Sequence, residues 1–435
     1  MNDNRSFQKF FALWCGQLIS SIGSGMSAFG LGIYVYQKTG LASATTSIAM
    51  IAFLPSLVLA PLAGVLADRY DRRLLMILGD GLSAIGLLYI LLCLMDGDAT
   101  LLQIGGGIFV SAIFASLLEP SFRATVTDLL SEDEYSKASG LVQLAAASKY
   151  LISPILAGFL MKTHSVALLV GLDIGTIFFT VIVTLFIRKG IVSKTPDETQ
   201  SLWARFREGW QSLTQNRGVF VLVWMSMALT FFIGVIQSLA TPMMLGFASG
   251  QHIGIALSVS ACGMLTSGSL LSLLQIKARH LHLLSRSLFL AGLCMMGFGW
   301  RPDLYVVATF GFLFFSCLPF ANAALDFLVR THIDDHVQGR VWGLIGVISQ
   351  IGMLLAYSIS GVLSDLVFSP MLMEGGLLAG SVGKIIGIGT GRGPALLIIT
   401  AGISLSLIAL SIQNVPSVQS LDRPDGAKGA DALSI

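Results

Sequence analysis

Residues 64–76 read GVLADRYDRRLLM, a short charged segment that joins two long apolar runs. Each run approaches or exceeds the roughly 20 apolar residues that a helix needs to cross a bilayer. The same pattern continues outward in both directions, because charged or Gly/Pro-rich breaks separate further apolar runs. The chain is therefore predicted to cross a membrane twelve times, at residues 10–36, 43–67, 74–95, 101–122, 137–161, 166–187, 218–239, 253–276, 284–299, 304–329, 340–367 and 394–412.

Composition points to the same class of protein. Of the 435 residues, 54% are hydrophobic and only 11% are charged, against roughly 25% charged in an ordinary soluble domain. A soluble enzyme, a secreted module and a nucleic-acid binder are excluded. The apolar runs are continuous, which predicts helices and not the alternating strands of a barrel. The five cysteines lie inside apolar runs and form no CxxC pair, so no disulfide framework or metal site is expected.

The basic residues predict how the chain is oriented in the membrane. Twenty of the 26 Lys and Arg residues lie in the N-terminal segment or in the alternate loops on its side, and five lie in the opposite loops. Cytoplasmic loops carry an excess of Lys and Arg. Both termini are therefore expected in the cytoplasm, with the protein in the inner membrane of a bacterium.

A polar stretch divides the chain into two groups of six predicted spans. Within it, Trp203, Phe206, Trp210 and Leu213 recur at helical spacing, which predicts an amphipathic helix. The halves also repeat each other with an offset of 203 residues. We therefore predict four regions, namely a first six-helix bundle at 1–187, a cytoplasmic linker at 188–217, a second six-helix bundle at 218–412 with an outer insert at 368–393, and a disordered cytoplasmic tail at 413–435.

The segment at 64–76 resembles the signature of the loop between helices 2 and 3 in the major facilitator superfamily. Asp71 and Met76 depart from that pattern, whereas Gly64, Leu66, Asp68, Arg69, Arg72 and Arg73 match it. The resemblance implies twelve helices in two pseudo-symmetric bundles, with this loop acting as a conformational latch. We expect the small residue at 64 to let helix 2 approach a neighbour closely. We also expect Arg72 to bridge Asp68 to an acid on helix 4, with Asp128 as the candidate.

A second motif lies in the fifth predicted span. Gly140, Pro154 and Gly158 match the antiporter motif that marks exporters in the superfamily, whereas Lys149 and two small residues depart from it. Pro154 is expected to bend the helix because it lacks a backbone N–H. The insert at 368–393 is similar to the loop 11–12 insert of the branch that contains macrolide-efflux proteins and an enterobactin exporter.

Ionisable residues inside a membrane are costly and usually functional. Those most deeply placed are Lys149 and Asp173, at comparable depth, and Glu119 lies nearer the cytoplasmic end of helix 4. Asp80 and Asp326 are expected near the inner surface as latch partners. The residues predicted to serve proton coupling or to line the substrate cavity are Gln17, Glu119, Lys149, Asp173, Gln237 and Asn322. Lys149 has two open roles, as a substrate contact or as the ion-pair partner of Asp173.

The predicted function is proton-coupled export of an amphipathic small molecule, such as a macrolide-like drug or a siderophore, by a monomer that works by alternating access. An importer of a small organic solute and a membrane sensor or scaffold without transport stay as alternatives. No catalytic constellation and no nucleotide-binding loop is present. We therefore expect no enzymatic activity, no cofactor and no nucleic-acid partner; the expected partners are the substrate, protons and the lipid bilayer.

Overall fold

The computed structural model describes residues 3–130, 134–188, 202–273, 279–333 and 337–422. Within these ranges the chain is helical, without strands, and twelve helical segments are long and apolar enough to cross a membrane. The predicted fold class and the predicted number of spans are confirmed. The longer helices are α1 (Asp3–Thr39), α2 (Ala42–Arg69), α3 (Arg72–Met95), α4 (Leu101–Ala115), α5 (Leu118–Leu129), α6 (Tyr135–Leu151), α7 (Ser153–Leu160), α8 (Val166–Arg188), α9 (Leu202–Gln215), α10 (Arg217–Leu245), α11 (Gly250–Leu273), α12 (His280–Trp300), α13 (Leu304–Arg330), α14 (Gln338–Leu363) and α17 (Arg392–Ile412).

Three spans are not single uninterrupted α-helices. The fourth span consists of α4 and α5 and ends at Leu129, beyond the predicted end. Within α5, Glu119 pairs with Arg123 one turn further along at 2.8 Å. The fifth span breaks between α6 and α7 at Pro154, which has no N–H to continue the helical ladder. The eleventh span ends in a π-helix, Ser364–Phe368, followed by the short helix α15, Ser369–Leu372.

The chain divides into two compact units. The first comprises Met1–Asp197 and Ala248–Ser258, and the second comprises Glu198–Phe247 and Val259–Ile435. The start of α11 belongs to the first unit, whereas the sequence placed the whole eighth span in the second bundle. In the first unit, α1 packs along α8, and α3 packs on α4 and α8. Its buried clusters are apolar, and one of them surrounds Trp14, whose indole N–H donates to the carbonyl oxygen of Leu141 at 2.6 Å.

The second unit repeats the helix pairings of the first. The ninth span, α12, packs on the tenth and twelfth spans, α13 and α17, just as the third span packs on the fourth and sixth. Small residues set these contacts. A Cβ built on Gly292 of α12 would lie 2.6 Å from the carbonyl oxygen of Gly402 on α17. Apolar helices in lipid associate through such close backbone approach, because burial from water does not drive them together.

The internal repeat also appears at the seam between the first and fifth spans of each unit. Gly25 of α1 faces Ser153, and Gly234 of α10 faces Ala356, 203 residues after Ser153. Gly234 leaves only 2.6 Å between a built Cβ and the Ala356 side chain. The duplication inferred from the sequence therefore corresponds to a repeated packing arrangement.

The linker helix and the start of the tail belong to the second unit. The amphipathic helix α9 packs on α14, with Leu213 buried and Glu208 paired with Arg340. Residues 189–201 lie outside the described residues. The side chains of residues 188 and 202–206, which include the predicted Trp203 and Phe206, are also outside the description. The predicted disorder of 413–435 is wrong for 413–422, because a short helix, Pro416–Gln419, packs there with Val418 fully buried. Residues 423–435 lie outside the described residues.

Candidate functional site

The loop between the second and third spans holds a buried ion cluster. Arg72 Nη1 lies 2.5 Å from Asp128 Oδ1, and Arg73 Nη2 lies 3.7 Å from Asp128 Oδ2. Arg72 and Arg73 are only 8% and 1% exposed. The cluster ties the start of α3 to the end of α5. Two guanidinium groups at this burial need a countercharge, and the carboxylate of Asp128 supplies it.

Backbone hydrogen bonds fix the geometry of this cluster. Arg72 Nε donates to the carbonyl oxygen of Ala67 at 3.2 Å, and its Nη1 donates to that of Ala124 at 2.9 Å. The Asp71 carboxylate accepts from the backbone N–H of Arg73 at 3.1 Å and caps α3. Asp71, which departs from the family pattern, thus begins the helix that carries both arginines, because a side-chain acceptor satisfies a free N–H of the first turn.

Two expectations for this loop are corrected by the structure. Arg72 reaches Asp128 but not Asp68, since Asp68 and Arg69 are exposed and make no side-chain hydrogen bond or ion pair with any described residue. Arg72 takes the Ala67 carbonyl in place of Asp68 because that carbonyl lies at the free end of α2. Gly64 is not a close-packing point, because a Cβ built there meets no atom within 4 Å.

The acidic candidates in the first unit have contrasting surroundings. Asp173 on α8 is 1% exposed, and its Oδ1 has no hydrogen-bond partner among the described residues. Glu119 is exposed and forms a pair with Arg123 one turn along α5. Asp80 on α3 is 2% exposed and lies about two turns from the start of that helix. Burial therefore distinguishes Asp80 and Asp173 from Glu119.

The remaining polar candidates lie on different helices, two in each unit. Lys149 is exposed and makes no ion pair with Asp173. In the second unit, the Tyr357 hydroxyl donates to Gln237 Oε1 at 3.1 Å, and Asn322 is exposed. Gln17 in the first unit has a buried Oε1 without a partner among the described residues.

The antiporter-motif residues lie at a close helix contact. Gly140 is exposed with open space around it, but Gly158 is buried, and a Cβ built there would lie 2.8 Å from the carbonyl oxygen of Gly250. One turn further along α11, a Cβ on Gly254 would overlap the carbonyl oxygen of Pro154. Pro154 is the second residue of α7, directly after the break between α6 and α7. The start of α11 is therefore fitted to the helix break of the fifth span.

Sequence reasoning missed Gly250 and Gly254. Gly250 and Gly254 stand four residues apart in GQHIG, a small-xxx-small pattern that could have indicated a close contact. No group of three or more His, Cys, Asp or Glu side chains that could hold a metal occurs within the described ranges. A polar cavity of about 490 Å³ lies elsewhere in the second unit, where Asn216, Arg217, His332 and Ser417 are among its lining residues.

Comparison with known proteins adds the family context. Residues 13–357 match the model of the Major Facilitator Superfamily. Macrolide efflux protein A of Streptococcus pyogenes is 27% identical over 372 residues, which cover 82% of this chain and 89% of that protein. An enterobactin exporter of Citrobacter koseri is 28% identical over 206 residues, or 46% of this chain and 48% of that protein. The solved structure of the nucleoside transporter NupG is similar, with a TM-score of 0.74 and 12% identity, and the match covers 94% of this chain and 99% of that chain. A bacterial homologue of the human lysosomal transporter Spinster has a TM-score of 0.72 and 13% identity, and the match covers 98% of this chain and 99% of that chain.

Proposed function

Because the chain belongs to the Major Facilitator Superfamily, we propose that it exports an amphipathic small molecule of the macrolide or siderophore type in exchange for protons. The observation that carries the proposal is the similarity to macrolide efflux protein A along 82% of the chain. The shorter similarity to an enterobactin exporter supports the same direction of transport. The protein acts as a monomer in the inner membrane of a bacterium, with both termini in the cytoplasm.

Proton coupling is assigned first to Asp173. A carboxylate without a cationic partner in the apolar interior is costly, so such a group tends to take up a proton. Asp173 is 1% exposed and has an unpartnered oxygen, whereas Glu119 is exposed and paired with Arg123. Glu119 stays a second candidate, because an exposed acid on α5 is open to substrate or water.

The proposed substrate contacts are polar side chains in otherwise apolar spans. They are Gln17, Glu119, Lys149, Gln237 and Asn322. Lys149 is exposed and its ammonium makes no ion pair with Asp173, which supports the substrate-contact reading. A cation there attracts acidic or catechol-bearing molecules.

Lys149→Ala should then lose those substrates selectively, with the fold intact. If Lys149 instead stabilises Asp173, Lys149→Ala combined with Asp173→Ala should recover stability lost in each single variant.

The loop between helices 2 and 3 is proposed to control the conformational change. The Arg72–Asp128 contact holds the loop in place, and the neighbouring Asp68 stays exposed for a contact made in another state. A contact present in one state only biases the equilibrium between states. Gly64, Arg69 and Arg73 belong to the same latch, and Gly140, Pro154 and Gly158 shape the fifth span.

Proteoliposomes with an imposed pH gradient test the function and separate it from the alternatives. Proton antiport predicts that an acidic lumen drives uptake of radiolabelled macrolide or enterobactin, whichever way the protein is inserted. A proton-coupled importer predicts uptake when the outside is acidic. A sensor or scaffold predicts no gradient-driven uptake at all. Asp173→Asn should abolish accumulation but spare exchange at equal concentrations, with Asp98→Asn, an exposed outer-loop acid, as the matched control.

A further inference from the structure

Residues 373–391, the connecting segment, join the eleventh span, which ends at Leu372, to the twelfth, which begins at Arg392. Eleven spans precede this segment, so it lies on the side of the membrane opposite the N-terminus. Glu374 and Lys384 are its only charged residues, whereas roughly a quarter of the residues in a soluble domain are charged. Its composition is therefore closer to that of the spans than to that of a loop in water.

The connecting segment is folded and has a small core of its own. It contains the short helix α16 (Gly383–Ile386). The N–H of Gly389 donates to the carbonyl oxygen of Leu372 at 3.0 Å, which brings the end of the segment back to its beginning. Ile386 is 5% exposed and packs with Leu372 and Leu396 in one buried apolar cluster. The segment and the start of α17 therefore share a core.

A buried arginine fixes the connecting segment to the neighbouring helices. Arg392 is 2% exposed, and its Nη1 donates to the carbonyl oxygen of Ile386 at 3.0 Å. Its guanidinium carbon lies 5.7 Å from the centre of the Phe247 ring, just past the end of α10. A Cβ built on Gly246 would overlap the carbonyl oxygen of Thr390. Because the segment is held in this way against α10 and α17, its fold determines which of its side chains are exposed.

Large apolar side chains lie on the outer surface of this folded segment. Leu377 is 88% exposed, Ile385 67%, Ile388 49% and Met373 41%. For comparison, Leu407, in the middle part of the twelfth span, is 62% exposed. The connecting segment thus leaves its apolar side chains as open as a membrane span does. An apolar surface of this kind marks a contact with a membrane or with another protein.

Aromatic side chains on adjacent spans indicate the level of the membrane surface. Trp300, the last residue of α12, is 43% exposed, and Tyr305, in the first turn of α13, is 85% exposed. Tryptophan and tyrosine are enriched where the bilayer meets water. A Cβ built on Gly299 would lie 2.6 Å from the carbonyl oxygen of Ala395, which places Trp300 beside the first turn of α17. The helix α16 also packs on α12, so the connecting segment lies at the level of this aromatic pair.

We propose that the connecting segment is a bilayer-contact surface, which inserts Leu377 and Ile385 into the boundary between headgroups and acyl chains. The occupant is lipid because a membrane span adjoins the segment at each end, so the bilayer surface of the second unit continues into it. Its turns lie at this boundary and not in the hydrocarbon core, where backbone outside a helix or barrel has no partners. Exposed Glu374 and Lys384 suit the headgroup layer. The inference goes beyond the proposed function and holds for any transported molecule.

Photo-crosslinking of the full-length protein in nanodiscs of phosphatidylethanolamine and phosphatidylglycerol tests the contact. The photoreactive residue p-benzoylphenylalanine is placed at Leu377 or at Ile385, and intact-mass spectrometry follows illumination. Each variant should gain the mass of one phospholipid, to an extent comparable with the same label at Leu407. A label at Asp98, on the same side of the membrane and with a side chain that is 87% exposed, is the aqueous control and should give little lipid adduct.

The outcomes separate lipid from a protein partner. If the label at either position gives no more lipid adduct than the label at Asp98, the proposal is overturned. A crosslinked species of twice the protein mass would assign the surface to a second copy of this chain and would also overturn it.

Hydrogen exchange in the same nanodiscs provides a measurement that needs no photochemistry. Leu377→Asn combined with Ile385→Asn removes the apolar contact at two exposed positions, so the core around Ile386 stays intact. The amides of residues 373–391 should exchange faster than in the wild type, while those of α17 keep their rate. Ser381→Asn, at an exposed polar position of the same segment, is the matched control. Equal exchange in the double variant and the wild type would refute a lipid contact at these side chains.

Discussion

Replacement of Asp128 by Asn should destabilise the protein far more than removal of an exposed acid. Asp128 is the countercharge of both Arg72 and Arg73, which are 8% and 1% exposed. Asparagine keeps the size and the hydrogen-bonding oxygen but removes the charge. Two buried guanidinium groups then lose the charge of the Asp128 carboxylate. Breaking a buried ion pair from one side costs about 3–5 kcal/mol, because it leaves an uncompensated charge.

The structure sets the expected size of the effect within this range. Arg72 retains its hydrogen bonds to the carbonyl oxygens of Ala67 and Ala124, so part of its stabilisation survives. We therefore expect a loss near the lower end, about 3 kcal/mol. Asp98→Asn removes an acid whose side chain is 87% exposed and whose oxygen lies 3.9 Å from Lys38. An exposed pair of this kind contributes about 0–1 kcal/mol.

Equilibrium unfolding in mixed micelles, with helical content followed by circular dichroism, measures both variants against the wild type. Adding Arg73→Met to Asp128→Asn should recover part of the loss, because the added change removes a buried charge that faced the lost carboxylate. A loss in Asp128→Asn no larger than that in Asp98→Asn would refute the argument from buried charge. If Arg73→Met recovers no stability, the assignment of Arg73 to the cluster is refuted.

Three further predictions address other parts of the molecule. Asp68→Asn should leave the unfolding midpoint unchanged, because the side chain is exposed, yet lower the transport rate strongly; a wild-type rate in proteoliposomes would remove this acid from the latch. Gly254→Ala should destabilise the protein by about 1–3 kcal/mol through overpacking. Gly268→Ala on the same helix is the control, because a Cβ built there has no atom within 4 Å. It should be neutral or slightly stabilising in the same unfolding assay. Val418→Asp should lower the thermal midpoint because it places a charge at a fully buried position. Ser420→Asp, at an exposed position of the same turn, should leave the midpoint unchanged. Equal midpoints for the two variants would show that the tail contact contributes nothing to stability.

Much of the fold is encoded in local features of the sequence. The twelve spans follow from the lengths of the apolar runs, because any segment long enough to cross lipid must satisfy its backbone as a helix. The break in the fifth span follows from Pro154, whose missing N–H acts at its own position. The ion pair of Arg72 with Asp128 could also be predicted, because a basic side chain at the end of one span has few acidic side chains within reach on the neighbouring spans.

The tertiary structure alone decided which polar side chains are buried and which are exposed. Glu119 and Asp173 are both acids in predicted spans, yet the first is exposed and paired while the second is buried, with one carboxylate oxygen that has no hydrogen-bond partner among the described residues. Lys149 is exposed, and Gly254, in a span with no recognised motif, meets the Pro154 carbonyl. In a soluble helix, the apolar stripe would mark the buried face. In a membrane helix the lipid-facing and bundle-facing sides are both apolar, so the sequence pattern does not show which side packs, and only the positions of neighbouring helices reveal it.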